Sequence, residues 1–200
     1  MAMHLMLKQI REAFKTSGLH SPNVKIQGID TCSMDGPYNR PEKTLFIIFA
    51  ILALILLVTP FLNESGTLVG LDGSTSTIDN ADKWEGMDPL SYIVYYAGDM
   101  MCHQKEDRSI LLNDNQIAVC ARDLGLFLGV PLGFLFLWMS PRQVPWIIII
   151  AVMVPMVLDG GIQLITDYES NNIMRVATGL FAGGGISFAM MRIYDNMTGE

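Results

Sequence analysis

The chain has 200 residues, of which 50% are hydrophobic and only 16% charged, against about 25% charged in an ordinary soluble domain. The apolar residues fall into four blocks separated by polar stretches, which makes a bilayer the expected solvent and not a single soluble core. A net charge of -7 excludes nucleic-acid binding through a basic surface, and three cysteines are too few for a disulfide scaffold.

Residues 1–43 form a polar tail. Within 1–15, Met3, Met6, Leu7, Ile10 and Phe14 share one helical face while Lys8, Arg11 and Lys15 point away from it. That is the pattern of an amphipathic helix lying on the inner leaflet, with a packed or loosely ordered tail as the alternative. Residues 44–62 follow without a single charge. At 1.5 Å per residue they reach roughly 28 Å, enough to cross the hydrocarbon core, and with no small-residue cleavage site after them they read as an uncleaved signal anchor.

Residues 63–118 form a long loop, its first part, 63–88, rich in Gly, Pro, Ser, Asn and Asp like 16–43 before it. Two elements are expected inside it. Asp88-Pro89 is a helix-start signal for 89–101, which is too short to span and carries Tyr92, Tyr95 and Tyr96, as an interfacial helix would. Residues 109–119, with Asn113-Asp114-Asn115 at the centre, read as a short hairpin. Three further spans are expected over 119–139, 145–165 and 173–193, followed by a tail at 194–200. The fold class is therefore all-α: a polytopic membrane protein built as a four-helix transmembrane bundle, with the lipid bilayer as its first partner.

Orientation follows from the basic residues, which stay cytoplasmic near span ends. Residues 1–43 hold six lysines and arginines, whereas 63–118 hold three against ten acids. Both termini are then cytoplasmic in a multi-pass protein of the cell membrane, and the 63–118 loop is extracytoplasmic. Gly125, Gly129 and Gly133 recur every fourth residue along the second span, as Gly179, Gly183 and Ser187 do along the fourth. Such faces let helix backbones approach closely, so these two spans are expected to touch.

Two polar groups fall at the outer end. Cys102-His103 closes the interfacial helix, and Cys120 and Asp123 open the second span at i and i+3, on one helical face. The hairpin folds the two pairs together. Two thiols, an imidazole and a carboxylate are the ligand types of a tetrahedral zinc site, and Met100 and Met101 add soft sulfur that leaves copper(I) as a lesser option. A Cys102–Cys120 disulfide is the competing reading in an oxidising compartment. Cys32, His4 and His20 have no partners in sequence. The second group comprises Asp159 and Arg175, each near the outer end of its span and costly there unless paired. Their simplest role is a mutual ion pair clamping the third and fourth spans, with Gln163, Glu169, Asn171 and Asn172 nearby. Arg108 and Arg122 have Asp123, Asp107 or a bound anion as possible partners.

The residues Cys102-His103-Gln104, Arg108-Ser109, Val119-Cys120-Ala121-Arg122 and Gly125 resemble the signature of a family of predicted small membrane proteins of unknown function. In that family Cys-His-Gln and Arg-Ser precede Cys-Ala-Arg-Cys-x-Gly. The order Asp159-Gly160, Gln163, Ser170-Asn171-Asn172, Arg175 and Thr178-Gly179 is similar to its later segment. One departure matters: Asp123 stands where the family has the last cysteine. An aspartate can replace a thiolate on zinc but can neither form nor attack a disulfide, which favours metal over redox chemistry.

Three functions compete on these grounds. The first is an extracytoplasmic zinc site formed by Cys102, His103, Cys120 and Asp123, structural if closed and hydrolytic if one position stays open. The second is a membrane thiol-disulfide oxidoreductase using Cys102 and Cys120. The third is a scaffold or subunit, as a homo-oligomer or in a larger membrane complex, without chemistry of its own. Whether the protein is an enzyme is left open by the residues alone.

Overall fold

The computed structural model describes residues 41–73, 76–140, 143–166 and 168–198. The expected surface helix over 1–15, together with His4, His20 and Cys32, lies outside the described residues. Among the described residues there are five α-helices: α1 (Glu42–Val58), α2 (Pro89–Met101), α3 (Ala121–Met139), α4 (Trp146–Ile165) and α5 (Asn172–Thr198). A hairpin of β1 (Leu111–Leu112) and β2 (Asn115–Gln116) lies between α2 and α3.

Helix α1, extended by a 3-10 turn to Leu62, and helices α3, α4 and α5 are each long and apolar enough to cross a bilayer. The molecule is thus an all-α membrane protein. Helix α5 runs five residues beyond the expected end of its span at 193, through Thr198. Nothing between Tyr194 and Thr198 interrupts an α-helix, and sequence hydropathy marks where the apolar run stops, not where the helix does.

Neighbouring helices are α1 with α3, α3 with α5, and α5 with α4. The α3–α5 contact is the closest, and its cause is the absence of side chains. A methyl group on Gly125 would overlap the Val176 carbonyl oxygen, one on Gly129 the Leu180 carbonyl oxygen, and one on Gly183 the Leu126 carbonyl oxygen. Gly133 faces Ser187, whose hydroxyl donates to the Val130 carbonyl at 2.6 Å. In lipid, where apolar burial gives helices no reason to associate, such backbone proximity and interhelical hydrogen bonds supply the attraction. On the other side of α3, Phe49 of α1 stacks on Phe134 with ring centroids 5.9 Å apart. Helix α4 is peripheral: Ile147, Val157, Leu164 and Ile165 are exposed and apolar, as a surface in contact with acyl chains requires.

The described residues of 63–119 fold into a cap around Leu68, Leu71, Trp84, Tyr95, Ile117 and Ala118, an apolar centre continuous with Leu56 of α1 and Leu124 of α3. Helix α2 starts where expected, because Asp88 accepts hydrogen bonds from the Leu90 and Ser91 N–H groups and Pro89 presets the first helical φ. The hairpin turns at Asn113 and Asp114, both in the left-handed region at φ 56° and 57°, the conformation that two-residue hairpins select. Its second strand ties the irregular 63–73 segment down. Asn115 Oδ1 accepts from Leu68 N–H at 2.9 Å, and Gln116 Oε1 accepts from Leu71 N–H at 2.7 Å. Asp99, fully buried in α2, accepts from Asn80 N–H and from the Trp84 indole.

Candidate functional site

The end of α2 and the start of α3 meet because of two contacts on one carbonyl. Gly98 leaves room for Ala118 O, which a methyl group at that position would overlap, and Gln104 Nε2 donates to the same oxygen at 2.9 Å. The 118–120 segment is thereby held alongside 98–104. Cys102 terminates α2 in an extended conformation with φ -133° and ψ 149°, and Cys120 is the N-cap of α3.

The consequence is a cluster. Cys102 Sγ, Cys120 Sγ and a carboxylate oxygen of Asp123 all lie within 4.8 Å of one another. The Cys120 N–H donates to Cys102 Sγ at 3.2 Å, and Cys120 Sγ lies 3.3 Å from Asp123 Oδ2. The thiols are free, Cys102 buried and Cys120 half-buried. Their mutual hydrogen bond pushes the two pKa values apart. Cys102 is raised, by its hydrogen bond to Cys120 and then by burial, while the same bond lowers Cys120. Cys120 is the first of the two to become a thiolate.

His103 is not among the three. It is exposed, and its carbonyl accepts from Gly73 N–H at 3.0 Å. Cys102 leaves α2 in extended backbone and Gln104 turns into the left-handed region at φ 48°; both are buried, while His103 between them stays exposed at the edge of a cleft. The two methionines considered as soft ligands, Met100 and Met101, are exposed on α2.

The expected Asp159–Arg175 ion pair is not formed. Asp159 pairs instead with Arg122, whose Nη2 lies 2.5 Å from Oδ2, and accepts further from Gln163 Nε2 at 3.3 Å and Ser170 Oγ at 3.2 Å. Sequence adjacency suggested that the third and fourth spans share their charges. Arg122, on the first turn of α3, reaches α4 and takes the acid. Arg175 donates through Nη1 to Asp107 O at 3.3 Å and to Asn172 Oδ1 at 3.1 Å. Arg108 pairs with Glu169 at 2.5 Å and with Asp107 at 3.5 Å. Asn171 caps α5, its Oδ1 accepting from Met174 N–H at 2.8 Å.

These two polar groups, separate in sequence, share one cleft of about 200 Å³. Cys102, His103, Cys120, Arg108, Arg122, Gln163 and Arg175 all line it. Gln104 and Lys105 line it as well, although the sequence offered only the family signature as a hint of Gln104 and none of Lys105. Ser170, buried against Asp159, appeared in the sequence only within the later family segment.

Four apolar helices with a thiol–carboxylate cluster at one end of the bundle define a small polytopic membrane protein with a polar cleft at the helix ends. The chain belongs to the family described as Predicted membrane protein (DUF2085), whose model matches residues 102–189, the stretch from Cys102 into α5. It is 30% identical over 161 residues to "Uncharacterized protein MJ1492" of Methanocaldococcus jannaschii, covering 78% of this chain and 96% of that protein. It is 32% identical over 90 residues to an "Uncharacterized protein" of Methanothermobacter thermautotrophicus, covering 44% of this chain and 81% of that one. No solved structure matches the chain.

Proposed function

We propose that this membrane protein holds a divalent metal ion, zinc by the character of its donors, through Cys102, Cys120 and Asp123, with the fourth coordination position turned to the cleft. The observation that carries the reading is the convergence of the three ligand atoms within 4.8 Å. Zinc bonds of about 2.3 Å to sulfur and 2.0 Å to oxygen in a tetrahedron put donor atoms roughly 3.5–3.8 Å apart, so closing the donor separations by about 1 Å completes the geometry. Two thiolates with one carboxylate suit zinc and exclude magnesium or calcium, which take oxygen donors. The methionines that would favour copper(I) are exposed to the surroundings of α2.

Three protein ligands beside a solute-accessible cleft support an open metal site, the kind that binds water or a substrate atom. The bias of lysine and arginine toward residues 1–43 supports placing this end of the bundle on the extracytoplasmic side. Metal analysis of the purified protein, with Cys120→Ser and Asp123→Ala as controls, tests the reading. Near-stoichiometric zinc that both substitutions abolish supports it; no metal above the controls refutes it.

The second reading is a dithiol–disulfide centre passing two electrons and two protons to a quinone in the bilayer. Its support is the proximity of two free thiols. Against it stands Asp123, which cannot take part in exchange. Thiol trapping in intact cells separates the two: cysteines that never change state exclude the redox centre.

A further inference from the structure

The guanidinium of Arg175 is buried, with the residue only 3% exposed, and it is half-used. Its Nη1 donates to Asp107 O and Asn172 Oδ1. Its Nε and Nη2 have no hydrogen-bond partner among the described residues. Those two nitrogens form one edge of the guanidinium, with parallel N–H bonds spaced to meet two oxygens of a single oxyanion.

The charge around it is equally one-sided. Arg108 is neutralised by Glu169 and Asp107, and Arg122 by Asp159. Among the described residues no carboxylate pairs with Arg175, and Lys105 lines the same cleft. Water would satisfy the free N–H groups but not the buried charge, and an uncompensated buried cation is among the costliest features a fold can carry. Gln104, a residue of the same wall, carries one more orphan: its Oε1 is a buried acceptor with no donor among the described residues. A ligand that completes this cleft therefore presents oxyanion oxygens to Arg175 and a hydroxyl to Gln104.

We infer that the cleft between the starts of α3 and α5 binds a hydroxyl-bearing phosphate group, on Arg175, Lys105 and Gln104. Two sources carry that chemistry: a free phosphate or phosphomonoester in its monoprotonated form, and the headgroup of a glycerol-bearing phospholipid. The site goes beyond the metal reading and stands without it, because its three residues are not metal ligands.

The test uses the full chain, delipidated in a phosphate-free, non-ionic detergent. Thermal unfolding is followed against inorganic phosphate, against sulfate at equal ionic strength, and against phosphatidylglycerol in mixed micelles. Saturable stabilisation is expected from phosphate, from phosphatidylglycerol, or from both, with sulfate weaker because it offers no hydroxyl to Gln104. Stabilisation by phosphate alone assigns the free anion, and by the lipid alone the headgroup. Arg175→Gln should weaken the apparent affinity about tenfold or more, as loss of a bidentate charge-assisted contact does, whereas Arg192→Gln, at the far end of α5, should leave it unchanged. Should Arg175→Gln fail to fold, Lys105→Gln provides the same comparison with a several-fold loss. No saturable stabilisation by either ligand, or an undiminished response in the cleft variants, overturns the inference. Zinc content measured in the same samples keeps its failure apart from failure of the metal site.

Discussion

Arg122 Nη2 lies 2.5 Å from Asp159 Oδ2 and joins the first turn of α3 to the last third of α4. Both groups are largely buried, with side-chain exposures of 21% and 7%. Removing one partner leaves the other charge stranded, so Arg122→Gln or Asp159→Asn alone should destabilise the folded protein by about 3 kcal/mol. The double variant, which strands neither, should recover much of that loss. Thermal unfolding in detergent of the three variants checks this, and a strictly additive double variant contradicts a direct pair.

The glycine faces give a second contrast along one helix pair. Gly129→Ala puts a methyl into the Leu180 carbonyl and should cost roughly 1–3 kcal/mol by forcing α3 and α5 apart. Gly184→Ala, on α5 where nothing lies within 4 Å of the added carbon, should be neutral or slightly stabilising, by up to about 1 kcal/mol, from helix propensity. Equal effects at the two positions would mean that close backbone approach does not hold the bundle.

Alkylation should distinguish the two cysteines. The thiolate is the reactive form; the shared hydrogen bond lowers the pKa of Cys120 and raises that of Cys102. In metal-free protein at neutral pH, brief iodoacetamide treatment should label Cys120 well before the buried Cys102. Mass spectrometry of the peptides reads the order. Zinc must displace the protons that remain, chiefly that of Cys102, so apparent zinc affinity should fall as pH drops from about 8 to 6, with proton release on binding. An affinity flat across that range would argue against thiolate ligands.

Gly98 is the least conspicuous determinant of the cluster. Gly98→Ala touches no ligand, but its methyl would collide with Ala118 O and push the 118–120 segment away from Cys102. Bound zinc should drop at least several-fold while helix content by circular dichroism stays near that of the parent protein. Retention of full metal content would show that the two segments find each other without this contact.

How much of this was legible in the residues depends on the range of the interaction. The spans were legible because a bilayer imposes a length of apolar residues that hydropathy reads directly, and the α3–α5 contact because Gly125, Gly129 and Gly133 repeat at helical spacing. Asp88-Pro89 and Asn113-Asp114 announced a helix start and a turn by local chemistry. Long-range polar pairings leave no such period. The choice of Arg122 over Arg175 by Asp159 depends on how far a side chain of α3 reaches across to α4. The anchoring of 63–73 by Asn115 and Gln116, and the burial of Asp99 against Trp84, rest on backbone and side-chain partners tens of residues away. His103 adjoins a thiol in sequence, but adjacency does not set direction: where the chain leaves α2, Cys102 is buried and His103 exposed.

Arg122 also stands between Cys120 and Asp123 in the chain, and its guanidinium is fastened to α4, the helix whose outer surface is almost wholly apolar. The ion pair thus anchors to a neighbouring helix the very turn that carries a thiol and a carboxylate, so the spacing of those two donors is held by tertiary structure as well as by the turn itself.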